Sequence, residues 1–102
     1  MINNDNLPLS EQAFLARTRD DAVLVRNAVK GHILGVQLEP KAMRDPMFEL
    51  AQRIVACADV AYLQGQVALR EQMENAKLDP VCYADFPTQG DLSAARDRLR
   101  NL

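Results

Sequence analysis

RIVACADVAYLQGQVALREQM, residues 53–73, is the stretch that decides the predicted fold. At 100° per residue it places apolar side chains on two sides of one helix. The broader side, which also includes Val55 and Tyr62, has a centre line of mostly small residues, which let a second helix approach closely. These are Ala51, Ile54, Ala58, Ala61, Gly65 and Ala68. We therefore predict that this side forms the core of the fold, packed against a preceding helix.

A narrower apolar stripe lies on the opposite side of the same helix. Its members recur at intervals of four, three and four residues, which is the spacing of helix-packing seams. They are Ala56, Val60, Leu63 and Val67. Three interpretations are open: the C-terminal helix covers the stripe, the stripe joins two copies of the chain, or it binds a partner helix. We predict that it is the partner-binding site, because little chain remains to cover it.

Two Asp-Pro pairs mark the ends of this long helix. Asp45 is a suitable N-cap, and Pro46 suits the first helical position. The second pair, at 79–80, ends the pattern, so the helix is predicted to span about residues 46–77. A single short turn is predicted around residues 41–44, between two prolines that disfavour helix before them.

The segment before that turn is also predicted to be a helix. Ser10 is a suitable N-cap, and the apolar residues that follow recur on one side of a helical wheel. They are Phe14, Ala22, Val25, Val29 and Ile33. Glycine is common just after a helix ends, so this helix is predicted to end between Gly31 and Gly35.

A short C-terminal helix completes the prediction. Thr88 or Asp91 could cap it, and its apolar side must dock on another element because so short a helix is unstable alone. The predicted fold class is all-α: an antiparallel helical hairpin with a long second helix and a short C-terminal helix packed against it. Residues 1–9 are predicted to be a flexible lead-in, and residues 10–102 a single helical domain.

Composition excludes several classes of protein. The 102 residues are 48% hydrophobic and 25% charged, which is typical of a globular chain and argues against global disorder. The net charge of −2 gives no whole-molecule attraction to nucleic acid or to an anionic membrane. No apolar run reaches the ~20 residues of a membrane span, and the first residues do not resemble a secretory signal. Two widely spaced cysteines give no disulfide framework, so we expect a reducing cytoplasm.

Candidate chemistry is sparse. His32 is the only histidine, and neither Cys57 nor Cys82 lies in a recognisable nucleophile motif. One histidine and two scattered cysteines lack the spacing of zinc ligands. Adjacent aspartates such as Asp20 and Asp21 do not face each other on a helix, so they form no acid–base pair. We predict no catalytic residue, no cofactor and no metal site.

These observations predict a non-enzymatic protein–protein interaction module, such as a small chaperone, adaptor, inhibitor or immunity-type protein. It would bind a protein partner, or a second copy as a homodimer, through the long helix. The alternative is a small DNA-binding transcriptional regulator that uses basic residues of the first and last helices. Those residues are Arg17, Arg19, Arg26, Lys30, Arg96, Arg98 and Arg100.

Overall fold

A computed structural model describes residues 7–102. Three strands precede two helices: β1 (Ala13–Arg17), β2 (Val23–Ala28), β3 (Ile33–Leu38), α1 (Met47–Asn75) and α2 (Gln89–Arg100). The strands form an antiparallel sheet in the order β1-β2-β3. The all-α prediction is therefore wrong, and the fold is α+β. The predicted flexible lead-in falls mostly outside the described residues, and its last residue, Leu9, begins a 3-10 turn.

The predicted first helix is instead the three-stranded meander. Val23 and Val25 alternate with more exposed residues along β2, and both are completely buried. A two-residue period suits a strand, and β-branched side chains pack well on a pleated surface. Val25 and Val29 also fit a helical spacing, which is why the sequence pattern supported the wrong element. Gly31 lies in the β2–β3 turn and ends no helix.

The β1–β2 turn is organised by an aspartate. Thr18 Oγ1 donates to Asp20 Oδ1 over 2.7 Å, and the Ala22 backbone N–H donates to the same oxygen over 3.1 Å. Asp21 follows with a φ of +60°, a left-handed conformation that aspartate tolerates better than most residues. The turn is also tied to α1, because Arg53 Nη1 lies 3.2 Å from Asp20 Oδ2.

The β2–β3 turn requires glycine. Gly31 has a φ of +103°, and a Cβ atom at this position would lie 2.8 Å from Cε2 of Tyr62. Both the backbone conformation and the close approach exclude a side chain. Tyr62 of α1 therefore covers this turn, which fixes the side of α1 that faces the β2–β3 turn.

Helix α1 packs across β1 and β2. A Cβ atom on Gly65 would lie 3.2 Å from Cδ2 of Phe14 and 3.3 Å from Cα of Val29, so the helix approaches the sheet closely here. Gln66 Nε2 adds a 2.9 Å hydrogen bond to the Val29 carbonyl. The broad side of small residues thus permits close packing as predicted, but the element that it meets is a sheet.

The boundaries of α1 were predicted within two residues. Helix α1 begins at Met47, one residue after the predicted start, and ends at Asn75. Its N-cap is Pro46 and not the predicted Asp45, and no side chain caps the helix. The short turn before it is a 3-10 turn at Pro40–Arg44. Thr88 caps α2 in a capping box with Asp91, so the first of the two proposed caps is confirmed.

The connection between the helices folds back onto α1. Arg70 Nη1 donates to the carbonyls of Tyr83 and Phe86 over 2.8 and 3.0 Å, and its guanidinium lies 5.2 Å from the Tyr83 ring centroid. These contacts lead the chain to α2, which packs along α1. Leu92, Ala95 and Leu99 are its buried residues and join the hydrophobic core.

Candidate interaction surfaces

The predicted partner-binding stripe is half buried within the chain. Val60 and Val67 are buried in the same cluster as Leu92, Ala95 and Leu99 of α2, and Ala56 and Leu63 are partly buried against that cluster. The stripe and the buried side of α2 therefore belong to one hydrophobic cluster. The structure brings the four residues together on one side of α1, but leaves only Ala56 and Leu63 partly accessible.

A different side of α1 is exposed and apolar. Phe48, Val55 and Tyr62 recur every seven residues, so they lie along one side of the helix. Phe48 is 73% exposed and Val55 is 59% exposed. Sequence reasoning missed this surface, because Val55 and Tyr62 were assigned to the broad core side and Phe48 was not considered. Their seven-residue spacing was the available signal.

Part of this exposed side forms one wall of a groove between the two helices. The groove has a volume of about 590 Å³. Helix α1 contributes Phe48, Val55 and Ala56, α2 contributes Ala95, and Leu102 follows the end of α2. Asp59 and Arg98 add one charge of each sign to the lining. The groove therefore presents an apolar floor with a mixed polar rim.

Strand β3 is the second exposed apolar feature. Val36 pairs with Val25 and Leu38 pairs with Val23, so both lie on the side of the sheet that faces α1. Each is nevertheless exposed, as are Ile33 and Leu34. Because α1 lies over β1 and β2, it leaves this part of the sheet bare. No sequence pattern could show this, since exposure of β3 depends on the strand order and on the position of α1.

The residues considered for chemistry are dispersed. Cys57 is completely buried, and burial raises the pKa of its thiol to about 11, which opposes formation of the reactive thiolate. Cys82 and His32 are exposed on separate segments. Within residues 7–102, no three His, Cys, Asp or Glu side chains are grouped so that they could hold a metal ion.

Asp20 has the one strongly perturbed carboxyl among the described residues. The hydrogen bonds from the Thr18 hydroxyl and the Ala22 N–H lower its pKa well below the ordinary range, and Arg53 lowers it further. The three groups that stabilise this carboxylate are those that form the β1–β2 turn and join it to α1. The perturbation is thus explained by a structural role.

In the described part of the chain, neither helix is long and apolar enough to cross a membrane.

Comparisons with known proteins add one finding. Neither the curated proteins nor the solved structures provide a match to this sequence. The profile of one family, described as a protein of unknown function, matches residues 9–102. This match spans nearly the whole chain, and the chain therefore belongs to the family DUF2694.

Proposed function

We propose that the chain is a non-enzymatic protein–protein interaction module that binds an amphipathic helix of a partner protein between α1 and α2. The observation that carries the proposal is the exposure of Phe48 and Val55 beside an apolar groove. Large apolar side chains that cluster on a surface are typical of a binding site. This surface is still on the long helix, but it is next to the predicted stripe and shares only Ala56 with it.

The shape of the groove supports a helix as the occupant. Two neighbouring helices create a channel in which a third helix can pack, at an interaxial distance of roughly 8–10 Å. Phe48 and Val55 are seven residues apart and would supply successive contacts along two turns of that helix. Asp59 and Arg98 at the lining would favour a partner helix with charges of both signs beside its apolar side.

The absence of assembled chemistry among the described residues supports a non-enzymatic role. Cys57 is inaccessible, and its raised pKa disfavours the thiolate. Both cysteines are free thiols, which supports placing the module in a reducing cytoplasm as part of the same proposal.

The alternative, a DNA-binding regulator, receives less support. Two of the arginines lie next to carboxylates: Arg17 is 3.7 Å from Asp21, and Arg100 is 3.1 Å from Asp97. Such pairs reduce the net positive charge available to phosphates. The segment proposed to carry Arg17 and Arg26 as a basic helix is also a pair of strands.

Paired valine substitutions test the proposal. Val55→Glu introduces a charge into the groove, whereas Val81→Glu introduces the same charge at a 76% exposed position in the Pro80–Cys82 turn. Both variants should keep the wild-type circular dichroism spectrum and melting temperature. Each variant is immobilised and the proteins that it retains are compared. We expect the wild type and Val81→Glu to retain the same proteins, and Val55→Glu to fail to retain them.

The retained partner then allows a direct measurement. Its amphipathic segment, synthesised as a peptide, should become helical on binding, and Val55→Glu should weaken its affinity by about 1–3 kcal/mol. If the two variants retain the same proteins and bind the peptide equally, the groove is not the binding site. Val60→Glu would not serve as a test, because a charge at this buried position would unfold the chain.

A further inference from the structure

Strand β3 is an edge strand, and the hydrogen bonds around it show which backbone groups point outward. Glu39 N–H donates to the Ala22 carbonyl, and Ala28 N–H donates to the His32 carbonyl. Backbone groups alternate in direction along an antiparallel strand, so those of Gln37 point toward β2. Those of Val36 and Leu38 point away from it. Within the described residues, no further strand lies on that side.

This edge lacks most of the features that prevent edge-to-edge association. Natural edge strands are protected by charged side chains, prolines or bulges. Residues 33–38 contain no charge and no proline. Arg26 pairs with Gly35 and Asn27 with Ile33, so the pairing skips Leu34 and β3 is irregular at that end. The regular part, residues 35–38, is left unprotected and has exposed apolar side chains.

We infer that a second copy of this chain pairs with β3, antiparallel, about a two-fold axis at Val36. Residues directly opposite each other in an antiparallel pair point to the same face of the sheet. Because the two strands are identical, the sequence numbers of two opposed residues must differ by an even number. Val36 opposite Val36 satisfies this condition and joins two outward-pointing backbones. The same register places Gln37 opposite Gly35, within the regular part of both strands, and brings Leu38 beside Leu34, where β3 becomes irregular.

Charges at the ends of the strand favour a second copy as the occupant. Antiparallel pairing brings the beginning of one strand beside the end of the other. Glu39 of each copy would therefore lie near the turn of the other copy that contains Lys30, and the contact would occur twice. Opposite charges near an interface favour the correct register and discourage the parallel alternative, in which like charges would meet.

The area available predicts a weak dimer. One strand and its exposed side chains supply less than the roughly 800 Å² per partner of a standard stable interface. We therefore expect a monomer in dilute solution and a dimer at high concentration. This inference is independent of the proposed groove, since a monomer could still bind a helix between α1 and α2.

Sedimentation equilibrium from about 1 μM to about 1 mM tests the inference. The wild-type mass should rise from 11.4 kDa toward twice that value. In the Val36→Lys variant, the lysines of the two copies would face each other at the two-fold axis and repel. The dimer dissociation constant should therefore rise at least about tenfold. The matched control is Leu15→Lys on the other edge strand, at a position 42% exposed compared with 41% for Val36, and it should dimerise as wild type does.

Hydrogen exchange of the wild type provides a measurement that needs no variant. The amide of Val36 should exchange rapidly in dilute solution and slowly at high concentration, whereas the amide of Gln37 should be protected in both. A mass of 11.4 kDa at all concentrations would overturn the inference. So would a dimer in which the Val36 amide stays unprotected, or one that Leu15→Lys disrupts and Val36→Lys does not. If the wild type stays monomeric but binds another protein that Val36→Lys does not bind, then β3 pairs with a different chain.

Discussion

The two edge strands of the sheet differ in how much of their surface α1 covers. Ala16 of β1, Val25 of β2 and Val36 of β3 form one row across the sheet, on the side that faces the helix. Their exposed fractions are 6%, 0% and 41%. The helix thus lies off-centre, over β1 and β2. Strand β3 is held by its backbone pairing and by the turn that Tyr62 covers, so its apolar side chains remain available to bind something else.

Truncating two valines in that row tests the comparison most strongly. Val25→Ala should lower the free energy of unfolding by about 2 kcal/mol, because it leaves a cavity in packed surroundings. Val36→Ala removes the same atoms from a half-exposed site and should cost less than about 0.5 kcal/mol. Urea unfolding of dilute protein, where self-association is absent, measures both values. Equal losses would show that α1 stabilises β3 as strongly as β2.

A glycine-to-alanine pair tests how closely α1 approaches the covered part of the sheet. Alanine favours a helix by up to about 1 kcal/mol over glycine. At Gly65 the new methyl group would press against Phe14 and the Val29 backbone, at 3.2 and 3.3 Å. Overpacking costs about 1–3 kcal/mol, so we expect Gly65→Ala to destabilise the protein by about 1 kcal/mol.

The control for that change is in α2. A Cβ atom on Gly90 would lie 3.5 Å from Thr88 Oγ1, an ordinary contact distance. Gly90→Ala should therefore stabilise the protein, by about 0.5 kcal/mol. Thermal melting of the two variants gives the signs directly. If Gly65→Ala were also stabilising, the helix would not be fixed against β1 and the β2–β3 turn as closely as the distances indicate.

The two helices could be predicted because their signals are local and agree with one another. Asp45 and Pro46 lie at the start of α1, and Thr88 caps α2. The sheet was missed because the valines of residues 23–29 satisfy two periods at once. Val23 and Val25 fit a strand, while Val25 and Val29 fit a helix. Tertiary pairing decides between such patterns. Asp21 and Gly31 are turn-forming residue types and were the sequence signals that favoured the strands. Both adopt a positive φ in the structure.

The candidate surfaces were less predictable than the helices. Burial of Val60 and Val67 depends on how elements distant in the sequence pack into one cluster, and exposure of β3 depends on the strand order. In contrast, Phe48, Val55 and Tyr62 could have been found from their seven-residue spacing. A helical pattern identifies which residues share a side, but only the assembled fold shows which side is left uncovered.

The ionisable residue Asp20 connects the covered side of the sheet to α1, and the pH dependence of stability that it causes is the smallest effect expected from the comparison. Asp20 connects the β1–β2 turn to Arg53 of α1, while Lys41 Nζ donates to the Asp20 carbonyl over 2.6 Å. The carboxyl pKa is lowered in the folded state, chiefly by the Thr18 hydroxyl and the Ala22 N–H. The carboxylate therefore contributes stability above its ordinary pKa of about 3.9, and this contribution is lost as the pH falls through the folded-state pKa.

We expect the wild type to lose more stability below about pH 4 than Asp20→Asn does, because the asparagine variant has no proton to take up at this position. Urea unfolding at a series of pH values measures the free energy of unfolding of both proteins. The difference between the two values should be constant above about pH 5 and should shrink below about pH 4. Thr18→Val retains Asp20 but removes its strongest hydrogen bond, so its profile should lie between the other two. Parallel profiles for all three would mean that the anchored turn adds no pH-dependent stability, and that close packing of α1 alone distinguishes the covered edge from β3.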